Sequence, residues 1–261
     1  MKELEGAKGR PPSGFGTTYK AEHVLTGGPV CLKHGHYVSP ESDEILLQEA
    51  LATWNLGHFG VASVRDVIRL PDGRLALISR WISGSTMAKL VETDRLDAER
   101  IAWMFDMLLR TLEYVHRHGI IHGDVKPQNV MAEENGRTAV LVDFGLASIR
   151  PTRASGNKGL TDLFVPPEQA DSRNPLIPET DLFSLGKTIV YALCGGDLDR
   201  VARREVPRQV PRPLKEFLGR LTATDPLNRP HWGRENLIQT ISHVRQECFG
   251  RLIIDLSGTV P

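Results

Sequence analysis

His122-Gly123-Asp124-Val125-Lys126-Pro127-Gln128-Asn129, with Asp143-Phe144-Gly145 beginning fourteen residues after its asparagine, is the stretch that decides how this chain folds. The apolar run Ala139-Val140-Leu141-Val142 immediately before Asp143 has strand character and would leave that acid at a strand end. Two aspartates and an asparagine on adjacent loops supply hard oxygen donors of the kind Mg²⁺ prefers. One carboxylate is left over to orient a nucleophile. Either motif alone is compatible with a surface turn capped by aspartate. The two together, at this spacing, predict a Mg-nucleotide site.

Outward from that stretch, the chain divides into two unlike halves. Residues 15–38 read as a hairpin, FGTTYKAEHV and VCLKHGHYV around the turn Thr26-Gly27-Gly28-Pro29. Ser39-Pro40-Glu41 opens a helix with Ile45, Leu47, Leu51 and Leu56 among its apolar positions. Two more strand runs follow, VASVRDVIRL and RLALISRWI, separated by Pro71-Asp72-Gly73-Arg74. Beyond Ser83-Gly84-Ser85, residues 97–118 carry Ile101, Phe105, Leu108, Leu109, Leu112 and Val115 at helical spacing. A strand pair is expected within VMAEENGRTAVLV, then a Gly/Pro-rich stretch at 145–178, then helices at 181–194, 213–223 and 233–247. The expected class is α+β: a four-stranded, one-helix lobe over 1–79, a hinge at 80–85 and a helical lobe over 86–261.

Composition excludes several function classes. The 32 basic and 32 acidic side chains cancel, so no global field gathers nucleic acid or a membrane surface. The longest apolar run, Ile189 to Cys194, is far short of the roughly 20 residues a spanning helix needs. The first residues lack the apolar core of a secretory signal, and Cys31, Cys194 and Cys248 have neither disulfide nor metal spacing. A cytoplasmic location with reduced thiols is expected. The basic positions Arg200, Arg203, Arg204, Arg208, Arg212 and Lys215 read as a solvated face, with docking of an acidic peptide or another domain as the alternative. The short stretch ahead of Gly14 and the tail LIIDLSGTVP point to one domain of a longer chain.

In its order of motifs the sequence resembles the eukaryotic-type protein kinases over nearly its whole length. The resemblance implies a bilobal fold and phosphoryl transfer from ATP with Mg²⁺. It makes Asp124 the base that accepts the substrate hydroxyl proton, and Asn129 and Asp143 the metal ligands. Lys126, two residues after the base, is similar to the lysine that Ser/Thr kinases place beside the transferring phosphoryl group, which implies a protein substrate bearing Ser or Thr. Val30-Cys31-Leu32-Lys33 resembles the third-strand lysine motif, with Glu49 as its carboxylate partner and Glu44 as the competing choice. The same resemblance makes Ser79 the gatekeeper and puts adenine against the backbone of Arg80, Trp81 and Ile82. Thr161, seven residues before Glu168, would seat the acceptor; Arg229 would pair with Glu168, and Asp181 would brace the catalytic loop.

Two elements depart from the family pattern, the phosphate loop and the residue before Asp124. Reading back from Gly16, the first two glycines of the phosphate loop fall on Pro11 and Ser13. Gly14 and Gly16 are then the glycines left to approach nucleotide. Gly123 stands where phosphorylation-regulated kinases carry Arg, which removes the main anchor for a phosphorylated activation loop. Two rival readings follow. One is a pseudokinase acting as a binding module. The other is a small-molecule phosphotransferase of the aminoglycoside/choline kinase type, which shares His-Gly-Asp and the asparagine but lacks Lys126, Glu168 and Arg229.

Overall fold

The computed structural model describes residues 2–3, 16–134, 138–152, 155 and 163–250. Its N-terminal lobe is an antiparallel sheet in the order β1-β2-β3-β5-β4. The strands are β1 (Lys2–Glu3), β2 (Thr17–Glu22), β3 (Pro29–His34), β4 (Val64–Arg69) and β5 (Leu75–Arg80). The predicted hairpin is β2–β3. Its turn closes by the His23 N–H donating to the Gly28 carbonyl, with Gly27 at φ +66°. Two differences from expectation are β1, a fifth strand too short to carry a pattern, and strands trimmed to their ladder-bonded centres.

The helix seen among the described residues of this lobe, α1 (Pro40–Thr53), starts where Ser39 accepts the Ser42 N–H, with Pro40 in the first turn. It buries Leu46 and Ala50 against Val64, Leu75 and Leu77 of the sheet. Leu47 and Leu51, read from sequence as apolar helix positions, are exposed, and Leu56 lies beyond the helix end. The sheet's other face carries a smaller cluster of Ala21, Val30 and Ile78.

Only Trp81 to Ser83 connect the lobes, because Arg80 is still in β5 and Gly84 already in β6 (Gly84–Thr86). The helical lobe then runs through α2 (Met87–Glu92), α3 (Ala98–Arg117), β7 (Ile120–Ile121), β8 (Val130–Glu133), β9 (Ala139–Leu141) and β10 (Ser148–Ile149). It ends with α4 (Pro178–Leu193), α5 (Leu198–Arg203), α6 (Arg212–Leu221) and α7 (Leu237–Phe249). Asp97 caps α3 by accepting the Arg100 N–H, and all six apolar positions predicted for that helix are buried. The short helices α2 and α5 were not expected from sequence, and α4 begins three residues earlier than predicted. α4 is buried on every side and α3 packs against it, so these two helices form the centre of the lobe.

Two small sheets hold the loops of interest. β7 pairs antiparallel with β10 and leads into His122; β8 pairs with β9, Val130 opposite Leu141. The Val142 N–H donates to the Asn129 carbonyl, which brings Asn129 and Asp143 to the same end of that ladder. The basic segment is a solvated face of local pairs, Arg200 with Asp197, Arg203 with Glu205 and Arg212 with Glu216. Among the described residues no helix is long and apolar enough to cross a membrane.

The lower part of the lobe is tied by a buried bidentate pair. Arg229 Nη1 donates to Glu168 Oε1 at 2.5 Å and Nη2 to Oε2 at 2.8 Å. Further bonds run from the guanidinium to the carbonyls of Ala223, Thr224 and Glu179. Removing one partner strands the other's charge in the interior, so Arg229→Met should cost about 3–5 kcal/mol, whereas the double change with Glu168→Leu should recover part of that loss. Urea unfolding of both variants checks this.

Candidate active site

Lys33 sits mid-strand, opposite Thr18 of β2 and Leu77 of β5, and its side chain is 9% exposed. Its Nζ donates to Glu49 Oε2 and to Asp143 Oδ1, both at 2.7 Å. Burial opposes the charge on Lys33, but the two carboxylates overcome it and hold the ammonium above the ordinary lysine range. Burial pushes Glu49 up, with Lys33 pulling the other way. Burial pushes Asp143 the same way, but Lys33 outweighs it and holds that carboxyl below the usual range. Glu44, the competing partner read from sequence, is exposed on α1 and takes no part.

Asp143 has φ +66°, a left-handed backbone that non-glycine residues adopt at a cost. Phe144 behind it is buried, its ring 4.4 Å from that of His122. The His122 Nδ1 accepts the Asp124 N–H, so the ring donates through Nε2 to the Val142 carbonyl. Gln48 of α1 donates to the Ala147 carbonyl, a second tie between that helix and the segment after Asp143. Sequence offered no signal for this contact.

Facing this triad is the loop 122–129. Asn129 Nδ2 donates to both the Asp124 carbonyl and Asp124 Oδ2, and Lys126 Nζ lies 2.8 Å from the same Oδ2. Burial pushes the Asp124 carboxyl above the ordinary aspartate range, and Lys126 offsets part of that rise. With its amide nitrogen committed to Asp124, Asn129 has Oδ1 as its oxygen donor, and Asp143 has Oδ2 beside the Oδ1 that accepts from Lys33. Two hard oxygens beside a triad with one net negative charge fit Mg²⁺, which takes few protein ligands and completes its shell with phosphate and water. Among the described residues no group of three His, Cys, Asp or Glu side chains is arranged to hold a metal.

The backbone under Asp124 is held from below. Asp181 at the start of α4 is fully buried, and its Oδ1 accepts the Gly123 N–H while Oδ2 accepts that of His122, both at 2.8 Å. This is the brace expected from sequence. Gly123 has φ +76°, and a Cβ there would stand 2.9 Å from the Leu146 carbonyl oxygen and 2.7 Å from Leu176 Cδ1. Gln169 Nε2 donates to the Gly123 carbonyl, a positioning contact that sequence reading missed.

The remaining candidates are placed as follows. Gly16 lies where β2 meets β3, and a Cβ would approach the His34 carbonyl oxygen to 2.4 Å, so sheet packing alone demands glycine there. Arg80 is committed to structure: its N–H donates to Ser63, and its guanidinium to Glu133 and to the Phe59 carbonyl. Trp81 lies under the Lys20 ammonium at 5.5 Å, and Ile82 is buried against Met131 and Val140 beside the lobe junction. Ser79 pairs with Cys31 and Val64 in the sheet. Gly14 and Thr161, with Pro11 and Ser13, lie outside the described residues.

A strand lysine clamped between a helix carboxylate and a strand-end aspartate, across a cleft from an Asp–Lys–Asn loop, defines a two-lobed phosphotransferase. The model for the protein kinase domain matches residues 13–240, and the chain belongs to that family. It is 31% identical over 214 residues to the DNA damage-responsive serine/threonine-protein kinase RqkA of Deinococcus radiodurans, covering 77% of this chain and 32% of that protein. It is 32% identical over 168 residues to serine/threonine-protein kinase F of Synechocystis, covering 59% of this chain and 33% of that one. Against the serine/threonine-protein kinase PAK mbt of Drosophila melanogaster the figures are 26% over 231 residues, 82% and 36%. The chain therefore spans about a third of the length of these curated relatives, and what it shares with them is a kinase domain of the serine/threonine type.

Two outcomes follow from this geometry. A base at Asp124 would accept a proton only when ionised, so activity should be full near neutral pH and fall as pH drops through its raised value. The acid limb of kcat/KM should lie above the ordinary aspartate range, and Asp124→Asn should lose on the order of 10²–10⁴ in kcat while still binding nucleotide. Because Lys33 and Glu49 act as one unit, Lys33→Met with Glu49→Gln should be little worse than the worse single change. Glu44→Gln should be near neutral. Additive losses in that cycle would count against the pair.

Proposed function

We propose that this domain transfers the γ-phosphoryl group of MgATP to Ser or Thr hydroxyls of protein substrates. The observation that carries this reading is the joined state of the Lys33–Glu49–Asp143 triad opposite Asp124, Lys126 and Asn129. A decayed binding module would have no need to keep six such groups in register. The Glu168–Arg229 pair and Lys126 set the domain apart from the small-molecule phosphotransferases.

In this scheme Lys33 anchors nucleotide phosphates, its charge maintained by Glu49. Asp143 Oδ2 and Asn129 Oδ1 would hold Mg²⁺, which when bound neutralises charge on the phosphates. Asp124 orients the acceptor hydroxyl and takes its proton, and Lys126 offers positive charge beside the transferred group. The backbone of Arg80, Trp81 and Ile82 would line the adenine end, while Gly14, Gly16 and Thr161 are the further contacts expected from sequence, Thr161 seating the acceptor. The cytoplasm is the proposed compartment. The proposed partners are protein substrates rather than nucleic acid or membrane, alongside further domains of a longer parent chain.

Incubation with labelled MgATP, alone and with a generic basic protein, tests the reading. Label in protein is expected; label only in small molecules or none at all would overturn it. Gly123 carries no charge for a phosphate to neutralise, so phosphatase treatment should change activity by less than about tenfold, or about 1.4 kcal/mol in the barrier. Loss of nearly all activity on dephosphorylation would show that a basic residue elsewhere gathers a required phosphate.

A further inference from the structure

The brace beneath the catalytic loop does not end at Asp181. Its Oδ2 also receives a hydrogen bond from His116 Nε2, at 2.8 Å, from the last turn of α3. On the far side of that ring, Trp232 Nε1 lies 2.8 Å from His116 Nδ1. An indole N–H can only donate. His116 Nδ1 must therefore present a lone pair, which leaves the ring's single proton on Nε2, directed at Asp181. Both side chains of the His–Asp contact are shut off from water, at 3% and 0% exposure, so no solvent molecule substitutes for either bond.

We propose that Trp232 is a positioning residue for phosphoryl transfer, acting through the tautomer it imposes on His116. With Nε2 protonated, His116 donates to Asp181 and leaves the carboxylate aligned to accept the N–H groups of His122 and Gly123. With the opposite tautomer, an imidazole lone pair would face a buried carboxylate. Asp181 would turn away or draw in a proton, and the loop holding Asp124 would lose its anchors. That loop has no slack, since Gly123 is held at φ +76° with Leu176 and the Leu146 carbonyl against it. Trp232 is well placed to be rigid. It is half-buried against the main core, three residues past Arg229, whose guanidinium is fixed by Glu168 and three carbonyls. The loop between 229 and 236, remote from the cleft, thereby sets the orientation of the catalytic aspartate through two intervening side chains.

The proposal rests on the kinase reading for its rate measurements, but its structural core is testable without activity. NMR of isotope-labelled histidine in the native domain should show His116 protonated at Nε2 and unprotonated at Nδ1; the reverse would overturn the proposal whatever the enzyme does. Trp232→Phe keeps the ring and removes only the N–H. It should lower kcat on the order of tenfold, about the worth of one buried hydrogen bond, with KM for MgATP unchanged and thermal unfolding still cooperative. In a His116→Asn background the same change should alter kcat less than about twofold, because the intermediary is gone. An equal loss in both backgrounds would mean that Trp232 acts by packing alone. A Trp232→Phe variant with native kcat and an unchanged His116 spectrum would likewise remove it from the mechanism.

Discussion

One ammonium group, that of Lys33, is shared between carboxylates that reach it from different parts of the fold. Glu49 comes from α1 above the cleft and Asp143 from the end of β9 below it. A buried lysine is costly to charge. Two acids lower that cost, yet one ammonium cannot satisfy two acids fully, and the remainder is a net negative charge within the triad. That remainder is what a divalent cation would neutralise. The sheet register that sets Lys33 opposite Leu77, and the α1 face that sets Leu46 and Ala50 on the sheet, are therefore parts of the same electrostatic arrangement.

The second constraint lies in the helical lobe and is one of backbone rather than charge. The chain must turn through a left-handed residue at Gly123 to present Asp124, and two adjacent N–H groups are left pointing inward. Buried N–H groups demand an acceptor. Asp181 provides one with both its oxygens, which is why a carboxylate can remain ionised on a helix buried on every side. Its own pKa stays below the usual range because those donors and His116 outweigh the burial that would raise it.

What could be read from the sequence was what depends on local order. Lys33, Glu49, Asp124, Lys126, Asn129 and Asp143 announce themselves because donor type and spacing along the chain are part of the motif. α3 was legible because its stripe repeats over five turns. By contrast, α2 and α5 are six residues each, too short for a period to register, and β1 has only two residues. Leu47 and Leu51 show the limit of pattern reading: the apolar residues of α1, Ile45 to Leu47 and Ala50 to Ala52, are spread round the helix between Glu44, Gln48 and Glu49 rather than gathered in one stripe, so hydrophobicity could not tell that Leu46 faces the sheet. Gln48, Gln169, His116 and Trp232 were invisible for another reason. Their bonds join residues 46 to 116 positions apart, and nothing local distinguishes a glutamine that reaches a distant carbonyl from one in solvent.

These unannounced contacts bear on how the working arrangement is reached. Where a kinase has Arg before the catalytic aspartate, a charge must be balanced before the loop settles. Here the place is Gly, and the volume beside it is filled by Leu176 and the Leu146 carbonyl. The segment after Asp143 is held by an amide of Gln48, and the catalytic loop by an amide of Gln169, neither of which titrates or responds to salt as an ion pair does. Neutral hydrogen bonds of this kind are worth about 1 kcal/mol each, so these two help to hold the loops where they stand. Control over such a site would then act on what enters the cleft or on the elements that carry these amides, α1 foremost, rather than on a charge within the loop.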